Sequence, residues 1–200
     1  ALLLVFGVLA VVKYHNFAIE NVNGIIKAFG GNGRISTFTL LLPLGISFYS
    51  FQSISYVIDV YRGKVKACNN IFKYALFVSY FPQITQGPIG RYDRLAPQFF
   101  AEHKYDLVVI QHGLQRMAWG LFKKFIIADR AGVVSDLVFN NPGQYHGIYV
   151  IIGVLAYCAQ LYGDFAGGID MVMGASEMFG IHLDDNFRQP FFSHSIGEFW

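Results

Sequence analysis

His112, Arg116 and Lys123 sit at i, i+4 and i+11 inside DLVVIQHGLQRMAWGLFKKFIIAD, residues Asp106 to Asp129. At helical periodicity they share one face of an otherwise apolar segment. Such a stripe belongs to an amphipathic helix, solvated or lying in a membrane interface, or to a helix that lines an internal cavity. A second constellation follows in DFAGGIDMVMGASEMFGI, Asp164 to Ile181, where Asp170, Gly174 and Glu177 recur at i, i+4 and i+7. Carboxylates inside a membrane are costly and mark a cavity, an ion path or a site; near a surface they are ordinary exposed acids. Gly163 and Gly167 form a small-xxx-small pair that permits close helix contact. Neither a phosphate-binding loop nor a nucleophile elbow is present. Cys68 and Cys158 are isolated, and none of the six histidines has His-x-x-x-His spacing, so no metal site is expected. His112, beside Arg116 in a greasy helix, is the best candidate for acid–base work on spacing alone.

The elements that must position these groups are apolar. The chain has 200 residues, 54% hydrophobic and 14% charged, with a mean hydropathy of +0.41. A globular domain carries about 25% charged residues. Disorder is excluded by this hydrophobicity, and a disulfide scaffold by the 2 cysteines. A net charge of +2 argues against nucleic acid as a partner. The composition leaves a membrane protein or an unusually apolar soluble helical domain.

Phe38 to Ile58, FTLLLPLGISFYSFQSISYVI, carries no charge and has the length of a spanning helix, about 20 residues. Pro43 and Gly45 are expected to kink it, and Asp59 to Lys64 closes it. Ile71 to Ile84 is a shorter apolar run. It breaks at FPQITQGP, Phe81 to Pro88, where two prolines and Gly87 cannot continue a regular helix. This break reads equally as a re-entrant helix and as an interfacial loop. Ala1 to Val12 opens inside an apolar run that ends at Lys13; twelve helical residues reach only about 18 Å of the roughly 30 Å a bilayer core needs. It is read as a membrane helix cut at its start, with Lys13 to Ile35 as an interfacial segment. No Lys or Arg occurs from Ala131 to Phe187, whereas basic residues crowd between Arg62 and Arg130, which places the crowded region on the cytoplasmic side. Asn140 to Gln144 is then an outside turn, and Gly147 to Gly163 the next span. The reading is an all-α, polytopic transmembrane protein.

Four stretches in order resemble the membrane-bound O-acyltransferase family, and within it the bacterial alginate O-acetylation branch, with the membrane protein of teichoic acid D-alanylation as a relative. They are LLPLGISFYSFQSISYVIDVYRGK (Leu41 to Lys64), YFPQITQGPIGRY (Tyr80 to Tyr92), GLFKKFIIAD (Gly120 to Asp129), and DFAGGIDMVMGASEMFG followed by DNFRQPFFSHSIGEFW (Asp164 to Trp200). The resemblance covers about four-fifths of the chain. It implies a multi-pass enzyme of the bacterial cytoplasmic membrane, built as a ring of helices with broken or re-entrant segments. Residues 1–200 would be part of one such membrane-embedded domain, truncated at both ends. The donor it implies is an acyl thioester, of coenzyme A or a carrier protein, with no bound cofactor. The acceptor is an extracytoplasmic polysaccharide hydroxyl or a partner acyltransferase. The family's catalytic histidine is expected just beyond Trp200, so no catalytic residue is assigned here, and residues 1–200 alone are expected to be inactive. The resemblance makes Gln86, Gly87, Pro88 and Arg91, with His112, Arg116 and Lys123, candidates for the substrate funnel. Lys123 and Lys124 would attract an acidic donor. Asp164, Asp170, Asn186 and Glu198 would support the histidine segment by hydrogen bonds. The rival reading is a transporter or channel without covalent chemistry, since broken helices and intramembrane acids also suit transport.

Overall fold

The computed structural model describes residues 2–31, 33–40, 43–84, 86–186 and 190–199. Thr85 of the expected break, Leu41 and Leu42 of the expected span, and Phe187 to Gln189 and Trp200 of the last motif lie outside the described residues. Helices and turns make up the ordered elements, with no strand among the described residues. The chain divides into two compact units, residues 1–85 with 91–93, and residues 86–90 with 94–200.

The first unit opens with α1, Leu2–Ala28, 27 residues and about 40 Å long. It does not stop at Lys13: the segment expected to lie in the interface is largely its second half. The polar residues there bond the chain that returns beside them. Asn23 exchanges two 2.8 Å hydrogen bonds with the backbone of Ile35. The Phe38 amide donates to Asn16 Oδ1 (3.3 Å), and His15 Nε2 bonds the Phe38 carbonyl (2.8 Å). Ile35 and Phe38 are therefore tied to α1.

This corrects the expected span from Phe38 to Ile58. Helix α2 is only Ile46–Tyr61, 16 residues and about 24 Å. Phe38 has spent its backbone groups on α1, and the Gly45 φ of 74° sets the helix start just after Pro43. A Cβ on Gly45 would collide with the Ile84 carbonyl. Apolar composition marked this stretch but not its hydrogen-bond partners, and its buried side chains are mostly polar: Ser50, Gln52, Ser53 and Asp59. Helix α3, Ile71–Val78, is capped by Asn70, whose side chain accepts from the amides of Phe72 (2.9 Å) and Lys73 (3.2 Å). Buried Gln52 pins α2 to α3 by donating to the Phe77 carbonyl (2.9 Å). The apolar run ends as expected near Pro82, where a single 3₁₀ turn covers Phe81–Gln83. Asp59 does not cap an exposed end: its side chain is 4% exposed and pairs with Arg91 at 3.2 Å.

Helix α4, Tyr92–Phe99, begins in residues of the first unit and lies mostly in the second. Asp106 caps α5, Leu107–Phe122, by accepting from the Val108 amide (2.8 Å). The helical path continues through a π turn, Lys123–Ala128, into α6, Asp129–Phe139. Asn140 to Gln144 is a turn, as its residue types predict; the Gln144 amide donates to the Asn141 carbonyl (3.0 Å). Helix α7, Ile148–Met178, then runs 31 residues, about 46 Å, so the expected span and the carboxylate-bearing stretch are one element. Both α1 and α7 are long and apolar enough to cross a membrane. The last elements are a 3₁₀ turn, Pro190–Phe192, and α8, Ile196–Phe199.

Helix α7 packs antiparallel along the whole α5–α6 path. Gly113 faces Gly174, Gly120 faces Gly167, Gly132 faces Gln160, and Gly153 faces Val138. At the first two crossings the contact is backbone to backbone. A Cβ on Gly120 would lie 2.5 Å from the Gly167 carbonyl oxygen, and one on Gly167 2.7 Å from the Gly120 oxygen; Gly113 and Gly174 stand in the same reciprocal relation. Both pairs of glycines are spaced by seven residues, two helical turns, so one face of each helix is bare at matching heights. Replacing Gly120 or Gly167 by Ala is expected to cost about 1–3 kcal/mol through overpacking. Thermal melting of the detergent-solubilised protein measures this, and Gly7→Ala, in open space on α1, should not lower the midpoint.

Near the first unit's loop, Cys68 is within hydrogen-bonding reach of the Tyr92 hydroxyl, which lowers its thiol below the ordinary value; the Asn70 backbone adds to this, desolvation opposes it, and Lys73 contributes least. Tyr92 is pushed up to about 12, first by burial and then by Cys68. At neutral pH Cys68 should therefore alkylate faster than an ordinary thiol, and Tyr92→Phe should slow it, as followed by iodoacetamide labelling and mass spectrometry.

Candidate functional site

The glycine crossings set α5 and α7 close enough for short ion pairs. Arg116, between Gly113 and Gly120, extends its guanidinium over α7. Its Nη1 donates to Glu177 Oε1 (2.6 Å) and its Nη2 to Asp185 Oδ1 (2.7 Å), while Nε reaches Asp170 Oδ1 at 3.4 Å. Lys123 Nζ holds the other oxygen of Asp170 at 2.6 Å. Distance makes Asp170 the partner of Lys123 first and of Arg116 second. Arg116 is 28% exposed, Lys123 17% and Asp170 14%, so these pairs sit away from bulk solvent and are screened little. Lys124, next along the π turn, turns the other way and binds Asp164 (2.6 Å) and Asp129 (3.3 Å). The π turn abuts Gly163, whose Cβ would lie 3.1 Å from the Lys123 carbonyl oxygen.

Arg116, Lys123, Asp170, Asp185, Asn186 and Tyr162 surround a small polar cavity of about 50 Å³. Tyr162 and Asn186 also line a larger, mainly apolar groove of about 460 Å³, with Leu161, Phe165, Phe191 and Phe199 around it. That volume lies in the range of small-molecule sites. The arrangement is an apolar slot ending on a cluster of two cations and three carboxylates. It can receive an apolar chain and present hydrogen-bonding groups to a polar end.

The residues singled out from the sequence are only partly brought together. Arg116, Lys123, Asp170 and Asn186 meet at the cavity. His112, on the same helix, is exposed and makes no hydrogen bond among the described residues. Gln86 donates to the Phe165 carbonyl (3.2 Å), and its side chain fills the space left by Gly168. Gly87 and Pro88 adjoin it in the same unit, whereas Arg91 belongs to the first unit and serves Asp59. Asp164 is taken by Lys124, so neither lysine of the pair stands free for an acidic donor. Glu198 accepts from the His194 amide (2.7 Å) within its own short turn.

Sequence reasoning passed over Asp185, the third carboxylate on Arg116, and the neighbouring ties of the same segment. Arg94 Nη1 binds both oxygens of Asp184 (2.9 and 3.0 Å). Gln98 accepts from the His182 amide (2.7 Å) and donates to its carbonyl (3.1 Å). The signal was present in the charge asymmetry: with no Lys or Arg from Ala131 to Phe187, every buried acid there needs a cation from α4, α5 or the π turn.

The chain is 43% identical to a probable alginate O-acetylase of Pseudomonas putida over 97% of its own length, and to its counterpart in Pseudomonas aeruginosa over 96%. It is 34% identical to a peptidoglycan O-acetyltransferase of Helicobacter pylori over 94%, and 29% to a teichoic acid D-alanyltransferase of Bacillus subtilis over 80%. It spans about two-fifths of the length of these relatives: 39%, 36%, 40% and 41%. No family profile matches the chain. This similarity along nearly the whole chain bears out the resemblance to the membrane-bound O-acyltransferases, on the alginate O-acetylation branch.

Replacing Asp170 by Asn leaves Lys123 charged and without its partner. Breaking such a poorly exposed pair is expected to cost about 3 kcal/mol or more. The double variant Lys123→Met, Asp170→Leu should recover most of the loss, as measured by thermal melting in detergent.

Proposed function

We propose that the protein carrying this chain is an O-acyltransferase of the bacterial cytoplasmic membrane. It moves an acyl group, acetyl on this reading, from a cytoplasmic thioester to a hydroxyl of an exported polysaccharide or to a partner acyltransferase. The observation that carries this is the 43% identity to the alginate O-acetylases along nearly the whole chain. The donor is a coenzyme A or carrier-protein thioester. On this reading the protein is multi-pass, with α1 and α7 crossing the bilayer and the segment from Tyr80 to Tyr92 as a broken element at its edge. The apolar groove beside α7 receives the acyl-bearing end of the donor, and the Arg116 cluster lies at its polar end.

The chemistry is a single displacement at the thioester carbonyl. The acceptor oxygen attacks, its proton passes to a general base, and the thiolate leaves. A positioned base contributes typically 10²–10⁴-fold, and a closed site keeps water from the thioester. The family resemblance expects that base, a histidine, beyond Trp200. The residues described here act on this reading as walls and supports. Asp170, Glu177 and Asp185 keep Arg116 and Lys123 in fixed positions, and Gln86 ties its own turn to α7.

The test is transfer of label from a radioactive acetyl thioester in membranes that contain the full-length protein and an acceptor polysaccharide. Alkali-labile label on the polysaccharide is the expected result. Uptake of a solute without any covalent label would replace this reading with a transporter.

A further inference from the structure

We propose that Arg116 is a positioning residue, and that its tie to Asp185 holds the segment after α7 in place as one wall of the groove. The inference rests on the groove being the acyl-donor site, and it concerns how that site keeps its shape.

Helix α7 ends at Met178, and at Gly180, where φ is 74°, the chain turns away. The segment 181–186 has one buried apolar anchor, Ile181, and then leaves the core: His182, Asp184, Asp185 and Asn186 are exposed. Side-chain ties replace packing here. The ties are unequal. The Arg94–Asp184 pair is 64% and 52% exposed, a setting in which an ion pair contributes little. Gln98 holds His182, four residues before the groove-lining Asn186. Arg116 differs because it is already immobilised on α7 by Glu177, at 2.6 Å, and by the glycine crossings on either side. Asp185 therefore docks on a guanidinium whose conformational freedom is already lost, which lowers the entropic cost of the contact. Asp185 also lines the polar cavity, and its neighbour Asn186 lines both the cavity and the apolar groove. Losing this contact frees the wall at the point where the two spaces meet.

Asp185→Asn isolates the effect. The cluster holds three carboxylates against two cations, so the change brings it closer to neutrality and leaves Asp170 and Glu177 on their partners. The full-length protein, with native cysteines replaced, is spin-labelled at Leu155→Cys on α7 and His194→Cys beyond the segment. Pulsed EPR gives the distance distribution, and acetyl transfer gives KM and kcat for the donor. Expected for Asp185→Asn are a broadened distribution with a longer population and a donor KM raised about tenfold at nearly constant kcat, the pattern of lost binding rather than lost chemistry. Asp185→Glu, which keeps the carboxylate, should restore both. An unchanged, narrow distribution in Asp185→Asn overturns the proposal. A broadened distribution with an unchanged KM supports the tie and overturns the groove as donor site.

Discussion

Helices α5 and α7 touch through their backbones at two levels, Gly113 against Gly174 and Gly120 against Gly167, and the site is built on the closeness this allows. Inside a membrane there is little hydrophobic gain from bringing two helices together, so van der Waals contact and polar bonds must hold them. Bare glycine faces allow the first. They also shorten the reach between side chains that flank the crossing. Arg116 and Lys123 lie at that level on one helix, and Asp170 and Glu177 on the other, so long cationic side chains meet carboxylates at 2.6 Å without stretching. With larger residues at the crossings the helix axes would separate, and the carboxylates would lose their partners together.

The ion pairs in turn explain a distribution of charge that would be hazardous in an apolar chain. All six acids between Asp136 and Asp185 lie in a stretch without Lys or Arg. Isolated, a carboxylate in such surroundings carries a large desolvation penalty. Arg116 and the two lysines of the π turn face four of them in opposed directions: Asp170, Glu177 and Asp185 on one side, Asp164 on the other. A π turn is rare, and where it occurs it is frequently at a functional site. Here it carries the adjacent Lys123 and Lys124, which bind Asp170 and Asp164 at two levels of α7.

Periodicity made part of this legible. The common face of Arg116 and Lys123, and that of Asp170 and Glu177, follow from helical spacing, and the structure sets the two faces against each other. The glycine heptads at 113/120 and 167/174 were equally visible but only gain meaning once two helices are aligned. His112 shows the limit of face arguments: it shares the spacing of Arg116 but stays exposed, because α7 covers only the sector of α5 centred on the glycines. Phe38 to Ile58 failed for a different reason. Hydropathy counts apolar side chains, whereas the start of α2 was decided by polar atoms of α1, as His15, Asn16 and Asn23 claim the backbone of residues 33–40. Asp185 went unread because it lies past the end of a helix, where no period operates.

The two kinds of space beside α7 fit together for a physical reason. On the proposed reading the ligand is a thioester, whose arm leads to a carbonyl on which negative charge develops during attack. A slot lined by Leu161, Phe165, Phe191 and Phe199 suits the arm. A charged cluster at its end would be a poor neighbour for that carbonyl if its ions were loose, since mobile charges must reorganise as the reaction proceeds. Fixed charges need not. Arg116 is bound on three sides and Lys123 is held by Asp170, so their field is set before any ligand arrives. The same bonds that remove the cost of burying acids in α7 thus leave a rigid polar end to an apolar groove, and the backbone contact of four glycines underlies both.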